Sequence, residues 1–312
     1  MPHQESGCET LLVFLRKPRT ITELAECADR SEKTIHAWLD ELKEKGYNFH
    51  RVNDLWSLDK TVVPAESTIS HETDELHLTI GIVSDTHLAS KMQQLTFLND
   101  FYDRCADLGI TSVYHAGDIL AGVDVYPGQD SEIFKHTEDD QTDYVIQAYP
   151  KRKGITTYHI GGNHDLVFVK RGAADPNYRI ALERDDIQYL GPYSAWVKLA
   201  EGCMMYLLHP DGGGAYAISY RGQKLVESFE GGRKPNIAVI GHYHKQLYMR
   251  ERNVHVIMPG AFESQTIFLR RKMIQPQVCG TILDLDFDDD GSIQTVRPSF
   301  VSYLIPKEHD YE

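Results

Sequence analysis

The sequence predicts an α/β protein with a small, mainly helical domain ahead of it. Apolar, β-rich runs alternate with a segment of helical period: the run Leu76 to Val83 is followed by the helical face Met92, Leu95, Leu98, Phe101, Cys105 and Leu108, which Gly109 closes. Strand, helix, strand in that order reads as a right-handed βαβ crossover. Five apolar runs then stop at the same kind of polar residue: Ser84-Asp85-Thr86-His87, Tyr114-His115-Ala116-Gly117-Asp118, Gly161-Gly162-Asn163-His164-Asp165, Leu207-Leu208-His209 and Ile240-Gly241-His242-Tyr243-His244. A lone Asp-x-His is a weak signal, since most such pairs sit in solvated loops. Recurrence at five strand ends is a strong one, because carboxylate and imidazole groups leaving neighbouring strands can turn onto one metal site.

The small domain occupies residues 1–60. Leu11 to Leu15 form a first helix that Pro18 closes, Thr20 with Glu23 makes a capping box for a second helix through Ala28, and Ser31 caps a third. In that third helix Ile35, Trp38, Leu39 and Leu42 recur at helical spacing and Gly46 stops it. Tyr47 to Val52 and Leu55 to Leu58 read as two strands, with Asn53-Asp54 as their turn. Three helices and a hairpin make a winged helix-turn-helix. One reading places Ser31, Lys33, Thr34 and His36 in a nucleic-acid groove; the other is a protein-docking or dimerising module. Residues 1–60 carry nine Lys or Arg against eleven Asp or Glu, which is poor footing for DNA and leaves nucleic-acid contact only slightly ahead of docking.

Residues 61–75 carry Pro64, Ser, Thr and acidic residues with no apolar period and read as a linker. The larger domain, 76–312, continues after the first crossover with a long excursion over 119–154 that holds the acidic run Glu138-Asp139-Asp140 at a helix start. A strand Ile155 to Ile160 leads to the Gly-Asn-His-Asp segment, and a basic stretch with Lys170, Arg171 and Arg179 follows. A helix is expected over Ala215 to Phe229. Thr281 to Phe287 and Ser292 to Val296 form a hairpin around Asp288-Asp289-Asp290-Gly291, a solvated turn that lacks the distal Glu of a calcium loop.

Composition narrows the function. At 312 residues a large domain plus a small one is expected, and 41% hydrophobic with 25% charged residues suits a soluble globular chain. A net charge of −14 counts against extended wrapping of DNA, so a polyanion would have to be guided by divalent ions and local basic spots. Five scattered cysteines, none in a C-x-x-C pair, argue against a disulfide framework. No run approaches a membrane span and the apolar stretch 11–15 is too short for a signal peptide, so a cytoplasmic protein is expected.

The five motifs, in this order, resemble the calcineurin-like metallophosphoesterases, over residues 77 to about 260. Pro210, where that family often has glycine, is a departure beside one ligand. The resemblance implies a four-layer αββα sandwich and two divalent ions. Asp85, His87, Asp118 and His244 would hold one, Asp118, Asn163, His209 and His242 the other, and Asp118 would bridge them. The ligand chemistry agrees, since carboxylate, amide oxygen and imidazole together suit manganese, iron or zinc and not calcium. His164 is the expected proton donor to the leaving alkoxide, with Asp165 orienting and charging it. His115 and His159, inside strands, read as core residues or partners of ligands.

A narrower resemblance lies in Gly117-Asp118-Ile119 through Val125-Tyr126-Pro127-Gly128-Gln129 and in Phe262-Glu263-Ser264-Gln265-Thr266 through Phe268 and Pro276-Gln277. Both stretches look like the exonuclease small subunit of archaeal D-family DNA polymerase, which implies a manganese-dependent 3′→5′ exonuclease on DNA. The winged helix is the departure, because that subunit carries an oligonucleotide-binding barrel there. The alternative is a phosphatase or phosphodiesterase on a small nucleotide, with the N-terminal domain serving assembly with a protein partner or a second copy. A regulator with a decayed phosphoesterase fold fares badly because no ligand is missing.

Overall fold

The structure is a computed structural model that describes residues 11, 14–15, 17–44, 49–52, 54–58, 67–71, 73, 75–229 and 233–311. The chain divides into two compact units, Met1–Pro64 and Ala65–Glu312. In the first, the Thr20 hydroxyl accepts the Glu23 N–H at 3.2 Å and the Glu23 carboxylate accepts the Thr20 N–H at 2.8 Å, a capping box that opens α1 (Ile21–Ala28). Ser31 Oγ accepts the Thr34 N–H at 3.2 Å and opens α2 (Glu32–Glu44). Strands β1 (Phe49–Val52) and β2 (Leu55–Leu58) pair antiparallel, and Arg19 bonds the backbone of Trp56 on the far side of β2. Leu11, Leu15, Leu24, Ile35, Leu39 and Leu42 close into one apolar cluster, with Trp38 and Trp56 packed at its edge. The expected helix stop at Gly46, the strand start at Tyr47 and the turn residue Asn53 lie outside the described residues.

The second unit contains β3 (Ser67–Ser70), β4 (His77–Val83), α3 (Leu95–Asp107), β5 (Ser112–His115), α4 (Glu138–Ala148), β6 (Thr156–Ile160), α5 (Val167–Lys170), α6 (Pro176–Glu183) and β7 (Ile187–Gly191). It continues with β8 (Ser194–Ala200), β9 (Cys203–Leu208), α7 (Ser219–Ser228), β10 (Ile237–Ile240), β11 (Gln246–Glu251), β12 (Val254–Pro259), α8 (Ile267–Arg271), β13 (Cys279–Phe287) and β14 (Ile293–Ser302). These strands make two six-stranded sheets, β14-β13-β4-β5-β6-β7 and β11-β12-β10-β9-β8-β3.

The sheets pack face to face, with Ile80, Ile82 and Leu283 of one against Val197, Met205, Leu207 and Val239 of the other. Alternation along β4 sends Val83 to the opposite face, where Leu98, Phe101, Tyr102 and Cys105 of α3 cover it. Val226 of α7 covers the outer face of the second sheet beside Ala238, Val254 and Val256. Helix, sheet, sheet, helix is the four-layer order that the fold class predicts.

Three expectations change. Residues 67–70, read as linker, form an edge strand that pairs parallel with β8; one apolar residue, Ile69, among Ser and Thr shows no period, yet it packs on the core. The helix expected over 215–229 starts only at Ser219, behind the glycine-rich loop 212–214. Leu108, counted on the apolar face of α3, is 59% exposed. The acidic turn holds its own backbone: Asp288 and Asp290 each accept the Ser292 N–H at 2.9 Å. Cys27, Cys105, Cys203 and Cys279 are free thiols, and among the described residues no helix is long and apolar enough to cross a membrane.

Candidate metal centre

The site forms where β4, β5 and β6, mutually parallel neighbours, end beside β9 and β10, a second parallel pair. Ligands beyond the carboxyl ends of adjacent parallel strands converge without long connecting loops. The loops after β4 and β5 bond each other: Asp85 N–H donates to Gly117 at 3.0 Å, His87 N–H to Asp118 at 3.1 Å and Leu88 N–H to Ile119 at 2.9 Å. The loop after β10 joins them through the His242 N–H, 2.9 Å from Asp85 Oδ2. Asp85, His87, Asp118, His242 and His244 have φ of 52°, 43°, 57°, 77° and 52°. Left-handed backbone at non-glycine residues costs on the order of 1–3 kcal/mol each and persists where the surroundings dictate it. Gly162 and Gly241 are needed for close approach between loops. A Cβ at Gly162 would lie 2.2 Å from Asp118 Oδ1, and one at Gly241 would lie 2.2 Å from the Ala116 carbonyl oxygen; the glycines let neighbouring loops close onto the ligands.

All seven predicted ligands meet in this place. Asp85, His87 and His244 bring donor atoms within 4.8 Å of one another; Asp118, His209 and His242 do the same, as do His87, Asp118 and His164. Asp118 belongs to two of these groups. His87 Nε2 lies 3.1 Å from His244 Nε2, and 3.8 Å from both Asp85 Oδ1 and Asp118 Oδ2. His209 Nε2 lies 3.0 Å from Asp118 Oδ2 and 3.3 Å from Asn163 Oδ1. The far nitrogens are committed: His209 Nδ1 to the Ala116 carbonyl at 2.8 Å, and His242 Nε2 to the Gly212 carbonyl at 2.7 Å. Such second contacts fix the ring and leave the other nitrogen for a cation.

Electrostatics supports a cation here. Burial opposes a charge on His87, but Glu263, Asp85 and Asp118 outweigh it and hold the imidazole protonated up to about 10. His209 is likewise pushed up, to about 9, against burial and chiefly by Asp118. Burial would raise Asp85 and Asp118, yet the histidines hold both carboxyls below the usual range. A cluster that draws protons onto buried imidazoles is short of positive charge, and divalent ions supply it. The buried His244 Nδ1 has no hydrogen-bond partner. The donor set therefore fits the divalent ions that the fold implies.

The roles expected of the remaining residues divide. His164 lines the cavity with its ring centroid 4.4 Å from that of His87, and its Nδ1 donates to the Ala121 carbonyl at 2.5 Å. Burial holds it neutral, down to about 3, so Nε2 presents a lone pair. Asp165 does not orient it. The Asp165 carboxylate accepts the N–H groups of Gly162 (2.8 Å), Asp118 (3.1 Å), Ile119 (3.3 Å) and Leu120 (2.8 Å), tying two ligand loops together. Burial and the Asp118 charge push its carboxyl up to about 7, and the backbone donors pull the other way.

His115 is a loop partner: the Thr86 hydroxyl donates to the Ile119 carbonyl, His115 Nε2 lies 3.1 Å from that hydroxyl, and His115 Nδ1 accepts the Gly117 N–H at 3.2 Å. His159 is buried and stacks on Tyr189, away from the ligands. Glu263 is a site residue that the sequence reading misses: it is 5% exposed and its Oε2 lies 4.0 Å from His87 Nε2 and from His244 Nδ1. It follows β12, the neighbour of β10, so the strand-end pattern could have found it. In the first unit, Ser31 and Thr34 bond each other at 2.9 Å, the His36 ring meets Trp56 edge-on, and Lys33 is exposed.

A cavity of 560 Å³ opens over the centre, lined by His87, Asp118, Asn163, His164, His242 and Glu263 and walled by Tyr126, Phe268 and Lys272. Two facing sheets, donor groups at five strand ends and a carboxylate shared by two of those groups define a metal-dependent phosphoesterase. The chain belongs to the calcineurin-like phosphoesterase superfamily, whose domain model matches residues 78–273. It is similar to the DNA polymerase II small subunit of Methanothermobacter thermautotrophicus, 25% identical over 257 residues, 67% of this chain and 52% of that one. The same subunit of Halobacterium salinarum is 24% identical over 256 residues, 70% of this chain and 50% of that one. The chain thus spans about half the length of the curated relatives it matches. Among solved structures, a novel archaeal phosphodiesterase aligns with a TM-score of 0.41 and 16% identity, over 72% of this chain and 100% of that one.

Proposed function

We propose that this chain is a dinuclear phosphodiesterase acting on DNA, a 3′→5′ exonuclease on single strands, with manganese as its ion. The observation that carries the two-ion assignment is Asp118, whose carboxylate takes part both in the group around His87 and in the group with His209 and His242. Asp85, His87, Asp118 and His244 would hold one ion, and Asp118, Asn163, His209 and His242 the other. Such a pair supplies Lewis-acid polarisation of the phosphoryl group and an activated water.

The protein's own residues do the rest. Asp165 fixes the loop that carries Asp118, and the Ala116 and Gly212 carbonyls fix the rings of His209 and His242. His164 Nε2 faces the leaving oxygen; an anionic phosphate beside it supplies the countercharge that a buried neutral imidazole needs before it can donate a proton. DNA is favoured over other phosphodiesters by the similarity to polymerase small subunits and by the match of two further stretches, 117–129 and 262–277, that line the cavity. Residues 1–60 are proposed as a winged helix-turn-helix joined through 61–66 to the catalytic domain in a cytoplasmic protein; they serve DNA positioning or docking to a protein partner or a second copy.

A second reading, a phosphodiesterase on a small nucleotide, is favoured by the net charge of −14. The deciding experiment incubates the protein and manganese with end-labelled single- and double-stranded DNA, RNA and cyclic nucleotides. A ladder shortening from the 3′ end of single-stranded DNA is expected; turnover of small nucleotides alone overturns the DNA assignment.

A further inference from the structure

One wall of the cavity is aromatic, and nothing in the metal chemistry uses it. The ring of Tyr126 stacks on Phe268 with centroids 4.3 Å apart and planes 20° from parallel, and meets His164 edge-on at 6.2 Å. The Lys272 ammonium lies 5.9 Å from the Phe268 centroid. Both rings are only half-buried and line the same space as His87, Asp118 and Asn163. Packing alone does not account for this. A ring needed only for the core would be covered, as Phe262 is at 1% exposure.

The wall is also held in place. The Tyr126 phenol, kept protonated by burial and by the carboxylates of Glu263 and Glu132, lies against Glu132 and Thr266. Glu132 is 4% exposed and accepts the Ile267 N–H, so one buried carboxylate fixes both the Tyr126 ring and the start of α8, which carries Phe268. On the other side Gln129 accepts the Val125 N–H at 2.7 Å and donates to the Ala121 carbonyl at 2.7 Å. A flat, pre-set aromatic surface beside a phosphoesterase centre, with a cation over its ring, fits a flat partner that carries a phosphate.

We infer that Tyr126 and Phe268 form a nucleobase subsite that stacks the base next to the scissile phosphate, with Lys272 at its rim. The inference rests on the phosphodiesterase reading and names its substrate class. The base belongs either to the 3′-terminal nucleotide of a strand or to a free nucleotide. Stacking of a base on a protein ring is worth about 1–3 kcal/mol and tolerates any sequence, so the subsite selects for nucleotides without selecting among them.

The test compares two esters with one leaving group, thymidine 5′-(p-nitrophenyl phosphate) and methyl p-nitrophenyl phosphate. In Phe268→Leu, which keeps apolar volume, the ratio of kcat/KM for the first over the second should fall about tenfold, and Phe268→Tyr should restore it. An unchanged ratio, with or without a common loss, overturns the subsite. Titration calorimetry of thymidine 5′-monophosphate gives a readout free of turnover, in which the wild type should bind about tenfold tighter than Phe268→Leu. Equal binding sinks the subsite even if hydrolysis fails. Weaker binding by the variant, with no turnover of either ester by the wild type, keeps the subsite and sinks the phosphodiesterase reading. A strand whose terminal nucleotide lacks its base should be cut about tenfold more slowly than the intact strand if the base is that of a DNA end; dependence confined to the mononucleotide ester assigns the subsite to a free nucleotide.

Discussion

The carboxylate of Asp165 accepts the backbone N–H of Leu120 at 2.8 Å, and through that bond and two like it, from Asp118 and Ile119, the loop after β6 grips the loop after β5. Asp165 holds Asp118 at its left-handed φ of 57°.

Asp165→Ala should therefore behave as a structural lesion that also empties the centre. Each buried N–H deprived of its acceptor costs about 1–3 kcal/mol, and with partial relaxation a loss of about 3 kcal/mol in urea unfolding is expected, together with weaker manganese binding. Asp165→Asn retains one acceptor oxygen and should lose less of both. A variant with wild-type stability and metal affinity would show that these bonds do not position Asp118.

Asp118→Ala removes the carboxylate shared by both groups. The expected outcome is loss of metal stoichiometry in calorimetry and a fall in phosphodiester hydrolysis well beyond the roughly 10- to 100-fold typical of partners outside the coordination sphere. Chelation of the wild-type protein should lower its melting temperature, because ions that bind only the folded chain stabilise it by mass action, about 2.7 kcal/mol at a hundred times Kd. A melting curve indifferent to manganese and EDTA would contradict a loaded centre, as would hydrolysis that survives Asp118→Ala.

These two residues mark how far the sequence can be read. The seven ligands are legible because each follows an apolar run, and a run ending in Asp or His is visible without knowing which strands are neighbours. The partnership of His164 with Asp165 is inferred from adjacency, and adjacency misleads. Successive residues in a tight loop point in different directions, so Asp165 turns inward to backbone donors while His164 faces the cavity. Tyr126 stands out in the sequence only within a family resemblance, and Glu263 only there or by its place after a strand. Their importance arises from contacts with His87, His244 and Phe268 that are distant in sequence, and no local period encodes those. The edge strand Ser67–Ser70 escapes for a simpler reason: four residues with one apolar side chain carry too little pattern to read.

His164→Ala should separate proton donation from metal binding. A general acid contributes roughly 100- to 10,000-fold when the leaving group is a poor one. A p-nitrophenolate departs without that help, so the variant should lose far more activity on an oligonucleotide or an alkyl ester than on a p-nitrophenyl ester, with metal affinity little changed. Equal losses on all three substrates would remove His164 from that role.

The N-terminal unit supplies the last test, because its acidic balance and its fold point in different directions. In its favour as a DNA module are two capped helices and a hairpin with Arg51 and Lys43 beside Trp56, their charges 5.5 and 5.6 Å from the ring. Against it, Arg51 already pairs with Asp54 at 2.6 Å and Lys43 with Asp40 at 3.0 Å, while Ser31 caps its own helix by accepting the Thr34 N–H and its hydroxyl bonds that of Thr34. The two cations beside Trp56 are therefore already committed to near neighbours, which limits what they add to phosphate neutralisation. Removal of residues 1–60 should leave hydrolysis of a small phosphodiester near the wild-type rate and reduce oligonucleotide cleavage modestly, by a few-fold. The slope of log K against log salt should become shallower by about one or two, since each phosphate of a single strand that the protein neutralises adds roughly 0.7 to it. Unchanged oligonucleotide cleavage and salt slope, joined by a change of mass in solution, would assign the unit to assembly instead.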